Sequence, residues 1–247
     1  EQAYCETCAS VGMVFWNQRM NSLTGNAEYI DVLERSLYNG ALDGLSLSGD
    51  RFFYGNPLAS NGKHARREWF GTACCPANIA RLIASLGNYI YGYKDHKHYV
   101  NLFIGSQTSF MLPKGEMQFT MNTNYPWEGS MKCSLTMKKK LALPIAFRIP
   151  GWTNGIPAPG NLYQFENTTT NTKPIILVNG SQVNYTIEDG YAVISKEWKN
   201  NDVIEYKLPM TIQKIKARDE LLQDNGRVAL QRGPIVYCIE GADNNGK

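Results

Sequence analysis

The chain has 247 residues, of which 43% are hydrophobic, 19% charged and 11% aromatic, and its formal net charge at pH 7 is +3. This composition is typical of a globular protein with one large or two small domains and argues against disorder. The small charge, and the lack of a basic run interleaved with aromatic residues, argue against nucleic acid as a partner. No apolar run approaches the roughly 20 residues of a transmembrane helix, so no membrane span is expected.

The N-terminal third shows helical periodicity. A first helix is predicted from about Glu6 to Gly25, because glycine readily adopts the left-handed conformation that closes a helix. Asn26 is a favourable N-cap for a second helix. A loop-rich passage follows over residues 43–67, and within it residues 51–54 are predicted to form a short strand. The apolar face of the second helix is expected to comprise Ile30, Leu33, Leu37 and Ala41.

Two adjacent cysteines precede a third predicted helix. Pro76 is expected at the first helical position, where proline is favoured, so that Cys75 is the cap and Cys74 lies just before it. The positive end of the helix dipole favours a thiolate over a thiol, so both sulfurs are predicted to be good nucleophiles and metal ligands. The apolar face of this helix is expected to comprise Ile79, Leu82, Ile83 and Leu86.

A second group of ligand atoms lies near the N-terminus, at Cys5, Glu6 and Cys8. Three or four soft sulfur ligands with one hard carboxylate oxygen suit zinc better than calcium or magnesium. The residues alone leave two alternatives open. Cys5 and Cys8 have the spacing of a redox pair, and the thiols are also compatible with a purely structural role.

After about Tyr93 the hydrophobic period changes from 3.6 to 2, which is typical of strands with one buried face. Many short strands separated by Gly, Asn and Pro turns favour an antiparallel sandwich, so the predicted fold class is α+β. Cys133 and Cys238 fall on these strands and are expected to be small buried residues. The predicted strands span residues 117–121, 131–137, 141–149, 191–195, 203–208, 211–217, 228–231 and 235–239.

Six motifs that follow one another along the chain carry a resemblance to a known family. The chain resembles the central and C-terminal part of the bacterial β-L-arabinofuranosidases of glycoside hydrolase family 127. This resemblance covers nearly the whole chain, and its helical motifs are highly specific. The motifs are ETCAS at 6–10, LERSLYNG at 33–40, FYGNPL at 53–58, CCPAN at 74–78, RIPGW at 148–152 and QRGP at 231–234.

The resemblance implies an architecture. Residues 1–95 would be the C-terminal hairpins of an (α/α)6 catalytic barrel that is incomplete in this chain. Residues 96–247 would form a β-sandwich domain, for which a missing C-terminal sheet partner is left open. An incomplete helical layer leaves apolar surface exposed, so association into a homo-oligomer is also left open.

The resemblance also implies a site. One residue of this site, Cys74, corresponds to the family's nucleophile. Tyr54 and Glu34 match family positions that are predicted to bind substrate. The resemblance further implies one zinc ion, bound by Glu6, Cys8, Cys74 and Cys75.

The implied activity is retaining hydrolysis of β-L-arabinofuranosides in plant glycans, through a thioglycoside on Cys74 that water later hydrolyses. The family's general acid/base is a glutamate upstream of the Glu6 motif, so this chain alone is expected to be inactive or nearly so. The alternative function is a non-catalytic carbohydrate-binding or accessory β-sandwich module with a structural zinc site.

The cysteines bear on the compartment of the protein. Reduced vicinal thiols fit a cytoplasm, whereas thiols protected by zinc also survive in a periplasm. A periplasmic or secreted bacterial location is favoured over a cytoplasmic one.

Overall fold

The computed structural model of the chain describes residues 3–60, 62–166 and 174–239, together with Asn244. Helices occupy the N-terminal third and strands occupy the rest. Within the described residues, no helix has both the length and the hydropathy needed to cross a membrane. The helices are α1 (Thr7–Thr24), α2 (Glu28–Ser36), α3 (Cys74–Ser85) and α4 (Gly87–Ile90).

The junction between α1 and α2 confirms the predicted helix ends. Gly25 closes α1 with a φ of 79°, and its N–H donates to the Asn21 carbonyl at 2.7 Å. The Asn26 side-chain oxygen accepts a hydrogen bond of 2.9 Å from the Glu28 N–H, which satisfies a free donor of the first turn. Beyond α2 the helical path continues as one π turn, Leu37–Ala41, and one 3-10 turn, Leu42–Gly44. The predicted apolar face is confirmed by complete burial of Ile30, Leu33, Leu37 and Ala41.

Two local predictions in this region are wrong. Residues 51–54 form no strand, because among the described residues Phe52 pairs only through single bridges to Leu45 and Arg67, without a continuous partner strand alongside. Helix α3 begins at Cys74 rather than at Pro76. Proline is tolerated at the third helical position because the first N–H groups of a helix have no intrahelical partner. Of the four residues predicted for the apolar face of α3, Ile83 is 45% exposed and is therefore not buried.

The strands of the described residues form three sheets, and the eight strands predicted after Tyr93 are all present. In chain order they are β1 (Tyr91–Lys94), β2 (Lys97–Val100), β3 (Ser106–Leu112), β4 (Gly115–Thr123), β5 (Ser130–Met137), β6 (Leu141–Arg148), β7 (Tyr163–Phe165), β8 (Ile175–Val178), β9 (Ser181–Gln182), β10 (Thr186–Glu188), β11 (Tyr191–Trp198), β12 (Val203–Lys207), β13 (Ile212–Ala217), β14 (Ala229–Arg232) and β15 (Ile235–Tyr237). The sheet orders are β1-β2-β6-β11-β10, β3-β4-β5-β12-β8-β9 and β15-β14-β13-β7.

One sheet departs from the purely antiparallel prediction. Strands β2 and β6 pair in parallel, with His98 opposite Ile145 and Val100 opposite Phe147, whereas the other strand pairs are antiparallel. Between these two strands the chain runs through β3, β4 and β5 of the six-stranded sheet. Such a long crossover returns the chain in the same direction, which is the connection that a parallel pair requires.

The five-stranded and six-stranded sheets share one hydrophobic core. Phe119 and Leu135 of the larger sheet and Ile145 and Phe147 of the smaller one belong to the same buried cluster. Cys133 is fully buried there, as predicted, whereas Cys238 is exposed, so its predicted burial is wrong. The α+β class is therefore confirmed, while the barrel-hairpin description and the division at residue 95 stay predictions.

A buried guanidinium joins the helices to the sheets. Arg148, at the end of β6, is fully buried. It donates to Asp31 Oδ1 and Glu34 Oε1 of α2, both at 2.5 Å, and to the Asn101 carbonyl at 2.7 Å. The Tyr125 hydroxyl also donates to Glu34, at 2.7 Å. This cluster fixes the position of α2 relative to the sheets.

Candidate metal centre

The N-terminal ends of α1 and α3 meet, although they lie more than 60 residues apart in sequence. Glu6 precedes α1 and Cys8 lies in its first turn, while Cys74 and Cys75 are the first two residues of α3. One ligand atom from each of these four residues lies within 4.8 Å of the other three. The structure thus brings together the four residues that the sequence predicts as metal ligands.

Backbone contacts hold the start of α1 in place. The Thr7 N–H donates to the Tyr54 carbonyl and the Thr7 hydroxyl donates to the Phe53 carbonyl, each at 3.0 Å. Glu6 forms a bridge with Gly55. Because Thr7 lies between two of the predicted ligands, these contacts place both Glu6 and Cys8 against the loop that precedes α3.

The distances among Glu6, Cys74 and Cys75 are close to those around a tetrahedral ion. The Cys74 and Cys75 sulfurs are 3.8 Å apart, and Glu6 Oε1 lies 3.7 Å from the first and 3.9 Å from the second. Around an ion with metal–sulfur bonds of about 2.3 Å, tetrahedral sulfurs stand about 3.8 Å apart. The Cys8 and Cys75 sulfurs are closer, at 3.2 Å. Three thiols and one carboxylate therefore offer a donor set of the kind that soft divalent metals prefer.

Two side chains outside this set donate hydrogen bonds to its sulfurs. Asn78 Nδ2 donates to Cys8 Sγ at 3.1 Å. The Tyr54 hydroxyl donates to the Cys74 sulfur. Asn78 ends the CCPAN motif but is not among the site residues predicted from the sequence, although it lies one helical turn beyond Cys74, where residues i and i+4 share a helix face.

The three thiols differ in their acidity. The hydrogen bond from Tyr54 lowers the pKa of Cys74, although burial opposes this effect. Burial raises the pKa of Cys8 and of Cys75. The sulfur that the family resemblance implies as the nucleophile, that of Cys74, is therefore the one whose surroundings favour the thiolate.

Of the two predicted substrate-binding residues, only Tyr54 contacts the cysteine cluster. Glu34 is buried, and its carboxylate accepts hydrogen bonds from Arg148 and Tyr125, which lie outside that cluster. Glu34 also lines a cavity of about 330 Å³ together with Asp31 and Trp152. The structure therefore does not bring Glu34 together with the other predicted site residues.

Three family models match consecutive parts of the chain. They are the catalytic domain of the GH127 β-L-arabinofuranosidases at residues 1–88, their middle domain at 97–210 and the family 127 C-terminal domain at 212–247. The fold, the cluster and these matches place the chain among the glycoside hydrolases. More narrowly, the chain belongs to glycoside hydrolase family 127, and the resemblance in the sequence is confirmed.

Relatives support this membership. A non-reducing end β-L-arabinofuranosidase of Bifidobacterium longum subsp. longum is 34% identical over 98% of the chain. A solved GH127 β-arabinofuranosidase is 44% identical over 98% of the chain, with a TM-score of 0.93. A GH127 β-L-arabinofuranosidase from Geobacillus stearothermophilus T6 is 37% identical over 99% of the chain, with a TM-score of 0.85. The chain spans 36% of the first relative and 38% of each of the other two.

Proposed function

We propose that the protein carrying this chain is a retaining β-L-arabinofuranosidase that acts on terminal β-L-arabinofuranosyl units of plant glycans. The observation that carries the proposal is the convergence of one carboxylate and three thiols in a chain of family 127. The names of its relatives support the substrate class.

The proposed metal is zinc, held by the Glu6 carboxylate and by the sulfurs of Cys8, Cys74 and Cys75. Zinc fits because its structural and catalytic sites favour four tetrahedral ligands and accept both sulfur and carboxylate oxygen. When bound, zinc keeps cysteine ligands deprotonated at neutral pH and orients them.

Cys74 is the proposed nucleophile. Its sulfur attacks the anomeric carbon, so that a carbon–sulfur bond forms while the glycosidic carbon–oxygen bond breaks. The departing oxygen takes a proton from the general acid, which the family resemblance places N-terminal to Glu6. In the second step the same group, now a base, takes a proton from a water molecule whose oxygen bonds to the anomeric carbon as the carbon–sulfur bond breaks, so the sugar is released with its configuration retained after two displacements.

Two further parts of the proposal follow from this chemistry. Tyr54 is proposed to contact the sugar, because its hydroxyl already lies beside the Cys74 sulfur. The 247-residue chain assayed alone is expected to be nearly inactive, since a missing general acid costs on the order of 100-fold to 10,000-fold in rate.

The test uses the full-length protein that carries this chain and a chromogenic β-L-arabinofuranoside. We expect Cys74→Ala to lower the rate of hydrolysis by on the order of 1,000-fold or more, because no other group replaces an attacking nucleophile. Mass spectrometry of the wild-type protein, quenched during turnover, should find the pentosyl adduct on the peptide containing Cys74. Cys5→Ala is the matched control, since Cys5 lies beside Glu6 but outside the metal cluster.

One outcome would contradict the assignment of the nucleophile. If Cys74→Ala keeps full hydrolytic activity and its bound zinc, Cys74 is not the nucleophile and the metal is structural. Absence of zinc from the purified wild-type protein, measured by elemental analysis, would contradict the metal assignment.

A further inference from the structure

Asn78 stands one turn into α3 and touches the metal cluster without belonging to it. Its side-chain nitrogen lies 3.1 Å from the Cys8 sulfur. This contact crosses from α3 to α1, the helix that supplies Glu6 and Cys8. Asn78 therefore connects the two helix ends on which the four ligands lie.

The donor and the acceptor of this hydrogen bond follow from the chemistry of the two groups. The nitrogen of an asparagine amide donates hydrogen bonds and accepts none, so the Cys8 sulfur is the acceptor. The Cys75 sulfur lies 3.2 Å from the Cys8 sulfur. The bond that Asn78 donates orients the Cys8 sulfur, and it would be strongest once that sulfur is ionised as a metal ligand, since hydrogen bonds to an ionised acceptor are the stronger ones.

We infer that Asn78 is a positioning residue that holds Cys8 as a permanent metal ligand. This inference rests on the proposed function. When the Cys74 sulfur forms a bond to carbon it loses its negative charge and becomes a weaker ligand, so Glu6, Cys8 and Cys75 must then retain the metal. The bond from Asn78 keeps the Cys8 sulfur in place during that step.

The first test measures zinc affinity of the full-length protein by competition with a chelating dye. We expect Asn78→Leu, which keeps the side-chain volume but removes the donor, to bind zinc 10-fold to 100-fold more weakly, as is typical when an outer partner of a ligand is lost. Asn78→Ala should behave in the same way. Asn88→Leu, at an exposed asparagine of α4, is the matched control and should bind zinc as the wild type does.

The second test separates positioning from a merely structural role. The zinc-loaded protein is treated with limiting iodoacetamide, and each cysteine is quantified by peptide mapping. In Asn78→Leu we expect Cys8 to be alkylated roughly 10-fold faster, because a hydrogen bond to a charged sulfur is lost, while Cys5 is unchanged. The thiolate-to-metal absorption bands of the cobalt-substituted variant should also shift.

The outcomes are distinct. Zinc affinity within twofold of the wild type in both Asn78 variants would overturn the inference, as would alkylation that rises equally at all cluster cysteines. Circular dichroism of the metal-free variants, expected to match the wild type, excludes misfolding as the cause. Failure of the proposed function alone would appear as hydrolysis retained by Cys74→Ala, with the Asn78 results unaffected. A wild type that takes up no zinc would overturn both.

Discussion

Cys8, Cys74 and Cys75 lie in one cluster, yet their surroundings divide them. Cys74 is partly exposed and receives the Tyr54 hydroxyl, which lowers its pKa. Cys75 is buried and burial raises its pKa, as it does for the half-buried Cys8. Three residues of the same type thus differ in thiol pKa, and therefore in reactivity, because their contacts differ. Such differences allow one metal site to contain both an attacking sulfur and sulfurs that remain ligands.

A buried histidine outside this cluster makes the stability of the protein depend on pH. The ring of His98 packs against Phe110 with centroids 4.3 Å apart, and among the described residues its Nδ1 has no hydrogen-bond partner. Burial lowers the pKa of His98 from 6.5 to about 4. Between these values the unfolded chain binds more protons than the folded one, so the free energy of unfolding should fall as the pH drops.

His98→Phe should remove this component of the pH dependence, because phenylalanine keeps the ring packing and has no proton to bind. The measurement is urea denaturation of wild type and variant at several values between pH 7 and pH 4. His96→Gln, at an exposed histidine, is the control and should retain the wild-type slope. A wild-type slope that persists in His98→Phe would contradict this origin.

At the scale of elements, the candidate metal centre depends on a close approach between Gly44, in the 3-10 turn beyond α2, and Thr7, the first residue of α1. A Cβ added to Gly44 would lie 2.5 Å from Thr7 Cγ2 and 3.1 Å from Ile79 Cδ1. Thr7 stands between Glu6 and Cys8, so a shift of its side chain moves two of the four candidate ligands. Glycine is required here for space, not for its backbone conformation.

Gly44→Ala should therefore lower the free energy of unfolding by about 1–3 kcal/mol, the usual cost of overpacking a buried contact. It should weaken zinc binding as well. Thermal unfolding and zinc titration check the two effects. In contrast, Gly12→Ala on α1 meets nothing within 4 Å and should be neutral or stabilise by about 0.5–1 kcal/mol. An alanine at position 44 that leaves stability and affinity unchanged would refute this account.

At the scale of the whole molecule, Arg148 is the charged link between helices and sheets. Its guanidinium, fully buried, faces the carboxylates of Asp31 and Glu34 from α2. The Tyr206 hydroxyl, itself buried, donates to the Arg148 carbonyl at 2.8 Å, so the six-stranded sheet is tied to the same point. Glu34 balances a buried charge in this arrangement, which gives the residue a structural role whether or not it also contacts substrate.

Arg148→Met should destabilise the protein by about 3–5 kcal/mol, because it leaves two carboxylates without the partner that compensates their burial. Denaturation in urea measures the loss. Arg51→Met is the matched control, since the ion pair of Arg51 with Glu68 is exposed and should contribute only about 0–1 kcal/mol. If both variants lost the same free energy of unfolding, the buried ion pairs of Arg148 would contribute no more to stability than an exposed ion pair does.

Features that depend on a few neighbouring residues could be predicted from the sequence. The cap at Gly25, the capping hydrogen bond that Asn26 accepts before α2 and the period-two strands follow from local conformational preference and alternation. The four candidate ligands could also be proposed from the sequence, because their residue types and family motifs are visible in the chain, and the structure brings them together. Errors arose where the local signal was ambiguous, as at the start of α3 and at residues 51–54.

The sequence by itself therefore determined that α1, α2 and α3 are helices and that the eight segments predicted after Tyr93 are strands, and it pointed to the four candidate sulfur and carboxylate donors. Only the tertiary structure decided that Cys8 meets Cys75, that Asn78 reaches Cys8, that β2 pairs in parallel with β6 and that Arg148 joins α2 to the sheets. The physical reason is the separation along the sequence over which each kind of interaction acts. Local structure follows from backbone preference within a few residues, whereas these contacts join positions at least 45 residues apart and depend on how the whole chain packs.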